Sequence, residues 1–126
     1  MPQNGLPVIV HSPVVTGLGQ PTWMVHVSPD TWRSDRQTTP QNQKVLWTPG
    51  AGRRILFMGF MFSTSAAMNI QIEENGNVLV PPVDLPGNGG ANVLFLNGLM
   101  LDPDAVLSYT SSGQGAHSVM LYGKEF

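Results

Sequence analysis

The chain contains no cysteine. Disulfide staples and thiolate metal sites are therefore excluded, both as supports for the fold and as chemistry. Charge is scarce as well: Asp, Glu, Lys and Arg make up 11% of the 126 residues, under half of the roughly 25% usual for soluble domains. The surface must then be covered largely by Ser, Thr, Asn, Gln, Gly and Pro. Such a surface suits broad contacts, because few charges have to be desolvated when a partner arrives. No apolar run approaches the roughly 20 residues needed to cross a bilayer. Met1 to Gly5 also lack the basic and apolar regions of a secretory signal. The expectation is a soluble protein made in the cytoplasm, with no membrane partner. A formal net charge of −2, with no clustered basic face, argues against a nucleic-acid partner.

The few charges are segregated. Arg33, Arg36, Lys44, Arg53 and Arg54 precede residue 55, while Glu73, Glu74, Asp84, Asp102, Asp104 and Glu125 follow it. The two halves are suited to meet, within one molecule or between neighbours.

Prolines at 2, 7, 13, 21, 29, 40 and 49 cut the first fifty residues into short pieces and exclude long helices there. Extended segments are expected at Val8 to His11, Thr22 to Val27 and Lys44 to Thr48, with residues 28–42 as a loop or ordered arm. Arg53 to Ser65 is apolar on both alternating faces: Ile55, Phe57, Gly59, Met61 and Ser63 on one, Leu56, Met58, Phe60 and Phe62 on the other. That pattern predicts a central strand covered on both sides. Its rival, a buried helix, finds no cap in Pro49-Gly50-Ala51-Gly52.

Asn75-Gly76 between Met68–Glu74 and Asn77–Val80 is the favoured pair for a two-residue type I′ hairpin. The register it implies sets Glu74 opposite Asn77, and Ile72 and Ile70 opposite Leu79 and Pro81, with Pro81-Pro82 closing the unit. Further strands are expected at Asn92 to Leu96, Leu99 to Leu101, Ala105 to Ser111 and Ala116 to Tyr122. Eight or nine short strands with regular turns predict an all-β fold, an antiparallel β-sandwich or jelly-roll barrel. Residues 1–42 form its extended, proline-rich N-terminal arm and first strands within the same domain, and residues 43–126 the sandwich core.

Chemistry is hard to place. His11, His26 and His117 have no partner at metal-ligand spacing. Asp102-Pro103-Asp104 reads as a turn, because a calcium loop would need a glycine and a distal glutamate that are absent. Glu73 and Glu74 are adjacent on a strand and so point to opposite faces. No nucleophile elbow, phosphate loop or dinucleotide fingerprint occurs. The expectation is a binding protein, not an enzyme, with no cofactor and no metal. A small hydrolase or isomerase would need a pocket in which one of the three histidines meets a carboxylate.

The tryptophans Trp23, Trp32 and Trp47 all fall in the basic first half. Tryptophan and arginine are the residues most enriched at interface hot spots. Trp32, Arg33 and Arg36 are the leading candidates for a partner interface. Trp23 and Trp47 are also candidates, although both lie on strand segments where filling the core is the simpler role.

Several features between Pro49 and Tyr122 occur together in order. They are the glycine-led turn Pro49 to Arg54, the long apolar strand ending in Ser63-Thr64-Ser65-Ala66-Ala67, and the exposed hairpin. The Gly87-Asn88-Gly89-Gly90 turn, Leu107-Ser108-Tyr109-Thr110 and the closing Ser118 to Tyr122 follow. In that order the chain resembles the small β-sandwich or jelly-roll structural proteins of tailed bacteriophages, particularly capsid decoration (cement) proteins. The resemblance implies a homotrimer on the exterior of a virion capsid, with the major capsid protein as partner and stabilisation of the shell as its role. It carries no diagnostic motif, so no functional position transfers with it. The runs 55–62 and 93–101 would suit buried seams of a trimer. A second expectation is a carbohydrate-binding or host-attachment module of a tail or head fibre, using Trp32 with Asp30, Asp35 and Gln37.

Overall fold

The computed structural model describes the backbone of residues 10–15 and 21–25, and residues 28–126 in full. It contains ten strands and no helix among the described residues. β1 (Val10–Val15) and β2 (Pro21–Val25) pair as an antiparallel hairpin in which Pro13 lies opposite Trp23. The side chain of Trp23 lies outside the described residues, as do those of His11 and His26.

The other eight strands are β3 (Thr31–Gln37), β4 (Gln41–Trp47), β5 (Ile55–Thr64), β6 (Met68–Glu74), β7 (Asn77–Leu85), β8 (Gly89–Met100), β9 (Leu107–Ser111) and β10 (His117–Glu125). They form two four-stranded antiparallel sheets, ordered β3-β10-β5-β8 and β4-β9-β6-β7. First pairs with last, second with second-last, and so inward to the β6–β7 hairpin at Asn75-Gly76. That is one long hairpin rolled so that successive pairs fall on alternate sheets, the eight-stranded jelly roll of two Greek keys. The all-β sandwich expectation holds.

The inner faces of the sheets enclose one core. It includes Trp47, Ile55, Phe57, Phe60, Phe62, Ile70, Ile72, Leu107, Tyr109, Val119 and Leu121, all buried. Phe57, Phe60 and Phe95 form an aromatic cluster with centroid separations of 5.2 to 6.4 Å, within the range of favourable ring pairs.

Strict alternation along β5 predicted opposite faces for Ile55/Phe57 and Phe60/Phe62, whereas all four belong to the core. The pairing with β10 slips by one residue between Phe57 and Gly59. This bulge resets the phase, as an extra unpaired residue does in an antiparallel ladder. The hairpin after β6 keeps Glu74 opposite Asn77 and Glu73 opposite Val78, but Ile72 meets Val80 and Ile70 meets Val83. Register shifts absorb the intervening residues. β7 also continues through Pro81-Pro82 instead of ending there. It is an edge strand, so prolines that cannot donate leave no inner ladder broken.

Residues 28–42, expected as a loop or arm, contain β3, which pairs with β10 from Thr31–Gly123 to Gln37–His117. The segment is polar on both alternations because it lies at the rim of the sandwich. There its inward residues meet polar partners. The segments expected at 92–96 and 99–101 are one strand, β8, with residues 95–98 bulging out opposite Met58.

Candidate functional site

Alternation divides β3 between two environments. Arg33 and Asp35 point to the inner rim, where the Arg33 guanidinium lies 5.5 Å from the centroid of the buried Trp47 ring. The Trp47 indole N–H donates to Glu125 Oε2 (2.9 Å) and the Gly50 amide to Glu125 Oε1 (3.0 Å). These hydrogen bonds, the indole's first, hold the Glu125 carboxyl below the ordinary glutamate pKa, helped by Arg53 and Arg33. The Tyr109 hydroxyl donates to Asp35 Oδ2 at 2.7 Å. Burial opposes the charged form of Asp35, but hydrogen bonds from Tyr109 and Gln37 outweigh it, so its pKa is lowered. Burial first, and then the Asp35 carboxylate, push the Tyr109 phenol well upward. Tyr109 therefore stays protonated and acts as a donor, a structural role at the closed end of the core.

Trp32, Ser34 and Arg36 point the other way, to the outer face of the β3-β10-β5-β8 sheet. The strand registers set three rows across it: Trp32, Tyr122, Gly59, Leu94; then Ser34, Met120, Met61, Asn92; then Arg36, Ser118, Ser63, Gly90. The Tyr122 ring lies across Gly59, where a Cβ would meet the ring at 2.5 Å, and its hydroxyl donates to Asn92 Oδ1 at 2.5 Å. Trp32, at 56% exposure, stands beside Tyr122. The β3, β10 and β5 members of the second and third rows line a groove of about 450 Å³ bounded by Ser34, Arg36, Met61, Ser63, Ser118 and Met120. That volume lies in the range of ordinary ligand pockets. Arg36 Nη1 donates to Ser118 Oγ at 3.2 Å. Among the described residues Arg36 forms no ion pair, and residues 1–27 contain no carboxylate side chain. The groove thus combines hydroxyls, thioethers and one cation that has no ion-pair partner among the described residues.

Of the five residues expected at an interface, Trp32 and Arg36 share this exposed face. Arg33 is directed to the opposite face of the strand, with Nη1 donating to the Trp32 carbonyl oxygen (3.0 Å). Trp47 is wholly buried, which corrects a direct surface role. Its ring fills the core and its N–H is consumed by Glu125. The groove residues from β5 and β10 were not singled out, because in sequence they are the alternate positions of two apolar strands. Asp35 and Gln37, expected beside Trp32 in a sugar site, are directed to the inner face.

His117 is buried, with Nε2 2.9 Å from Ser111 Oγ and Nδ1 2.9 Å from the Gly115 carbonyl oxygen. A carbonyl only accepts, so Nδ1 carries the proton and the serine hydroxyl donates to Nε2 in the neutral ring. Ser111 Oγ also accepts from the Gln41 amide (3.0 Å). His117 therefore bridges structural groups and meets no carboxylate. Among the described residues no group of three or more His, Asp or Glu side chains is placed to hold a metal ion.

Among the described residues the expected meeting of the basic and acidic halves occurs once, where Arg53 Nε lies 3.7 Å from Glu125 Oε1. The other ion pair, Lys124 with Asp30 at 2.9 Å, runs the opposite way along the chain. No protein-family model matches the sequence, and no curated protein matches it significantly.

Proposed function

We propose that the chain is a virion structural protein, a capsid decoration protein that binds the exterior of a phage head as a homotrimer and braces neighbouring major capsid subunits. The observation that supports this reading best is the pairing of Trp32 and Arg36 on one exposed sheet face of a charge-poor jelly roll. A large aromatic and an unpaired guanidinium beside a shallow groove form the kind of anchor that dominates protein interfaces. Rigid strands hold both, so little ordering is needed on binding.

Cosedimentation with shells stripped of decoration tests the reading. Saturable pelleting is expected, with affinity reduced roughly tenfold or more by Trp32→Ala or Arg36→Ala. A chain that stays in the supernatant at every concentration refutes it.

The same groove favours a second reading, a carbohydrate-binding or host-attachment module. Three serine hydroxyls, an arginine and a neighbouring exposed tryptophan are groups that suit a sugar. Hits on a glycan array that Trp32→Ala abolishes, together with no binding to shells, would select it.

A further inference from the structure

The jelly roll has four outer strand edges, and three of them carry features that discourage pairing with another copy of the chain. β3 bears Arg33, Asp35 and Arg36; β4 bears Lys44 and is broken by register shifts; β7 bears Pro81, Pro82 and Asp84 and is also irregular. Charges, prolines and bulges are the usual devices that blunt sheet edges. β8 differs. From Gly89 to Leu101 it has neither a charged residue nor a proline. Among the described residues no strand pairs with its free side.

That edge is also where exposed apolar side chains concentrate. Leu94 is 69% and Leu96 95% exposed, with Val93, Leu99 and Met100 exposed beside them. Leu96 stands at the tip of the 95–98 bulge, while its neighbour Phe95 turns inward against Phe57 at 5.2 Å. The bulge is pinned from below, because Gly98 lies directly over Leu56 and Met58 on the outer face of β5. A leucine held out on an anchored bulge loses little conformational freedom on burial, so most of its apolar area counts toward association.

We infer that β8 is the self-association seam, lying beside the rotation axis about which copies of this chain assemble. The occupant of the exposed edge is a second copy, and charge decides it. Near a rotation axis each residue meets its own symmetry mate. A charged edge there would face itself, whereas β8 alone carries nothing to repel. The area reaches the lower bound. Eight paired positions give an edge roughly 25 Å long, and a band about 20 Å wide along it contributes on the order of 500 Å² per copy, which with the partner's share meets the minimum of about 1,000 Å² total that a specific interface should clear. The inference deepens the proposed function and takes the number of copies, three, from it. It leaves the β3 edge of that sheet, with Trp32 and Arg36, free for the shell.

The absence of cysteine makes the test direct. Leu96→Cys would be the sole cysteine of the chain, and mild oxidation is expected to give a disulfide-linked dimer band on a denaturing gel, since three thiols at one axis can join only two at a time. Val78→Cys, on the other sheet at 56% exposure, is the matched control and should stay uncrosslinked. In light scattering the wild type is expected at about three times the 13.6 kDa chain mass, Leu96→Glu at one, and Val78→Glu unchanged from wild type. An unaltered thermal midpoint at a concentration where wild type is also monomeric would show that Leu96→Glu still folds. A monomeric wild type, or a Leu96→Glu variant that remains oligomeric, overturns the seam. Shell binding is scored separately on the same samples. An oligomer that ignores shells therefore removes the decoration reading and leaves the seam standing.

Discussion

Glu125 accepts hydrogen bonds from the Trp47 indole and the Gly50 amide, and lies beside Arg53. Its lowered pKa means that the folded state binds its proton more weakly than the unfolded chain does. The stabilisation is complete above the unfolded carboxyl pKa and is lost as pH falls through the lower folded value. Asp35 contributes with the same sign. The thermal midpoint is therefore expected to hold from neutrality to about pH 5 and to fall below it, and Glu125→Gln should flatten part of that fall. At neutral pH the same variant should cost about 1 kcal/mol in denaturant titration, because one charge-assisted acceptor is replaced by a neutral group. Gly59 makes a purely steric case. A Cβ there meets the Val93 carbonyl and the Tyr122 ring, so Gly59→Ala should destabilise by roughly 1–3 kcal/mol. Because the ring sits beside Trp32, the variant should also shift the Trp32 fluorescence.

The turn between β6 and β7 shows how an element carries local information into the fold. Asn75 has φ 50° and Gly76 φ 82°, as a type I′ turn demands. The Asn75 side chain also accepts from the Val106 amide at 2.9 Å, tying the turn to β9. Gly76→Ala is therefore expected to lower unfolding stability by about 1–2 kcal/mol, read from the denaturant midpoint with an unchanged slope. This element was legible in sequence because its signal is local. The long apolar β5 was legible as a strand, but its expected cover on both sides holds only as far as Phe60, since Met61 and Ser63 are exposed on the outer face. Its phase was not, because a one-residue bulge leaves no mark in composition. β3 was missed because its polar inward residues, Arg33 and Asp35, are satisfied by Trp47 and Tyr109, which stand far away in sequence. The groove was hidden for the same reason. Ser34, Ser63 and Ser118 become neighbours only through the β3-β10-β5 register.

At the scale of the whole molecule, the distribution of charge bears on assembly more than on the stability of one chain. The two ion pairs among the described residues each have at least one exposed member, where such pairs contribute little, so the isolated domain rests on its apolar core. The edge β8 adds apolar area that is exposed in the described chain, and association through it would recover that area. Mass action then links stability to concentration, since any partner that binds the folded state alone raises the midpoint of unfolding. Scanning calorimetry across a hundredfold range of chain concentration is expected to show the wild-type midpoint rising with concentration and the Leu96→Glu midpoint staying level. Converging values at high dilution would mark the stability of the domain itself. Trp32→Ala, at the opposite edge of the same sheet, should follow the wild-type dependence, because it lies three strands away from the proposed seam. A wild-type midpoint that does not move would mean that the exposed leucines of β8 are not covered by another copy, and the apolar edge would need a different occupant.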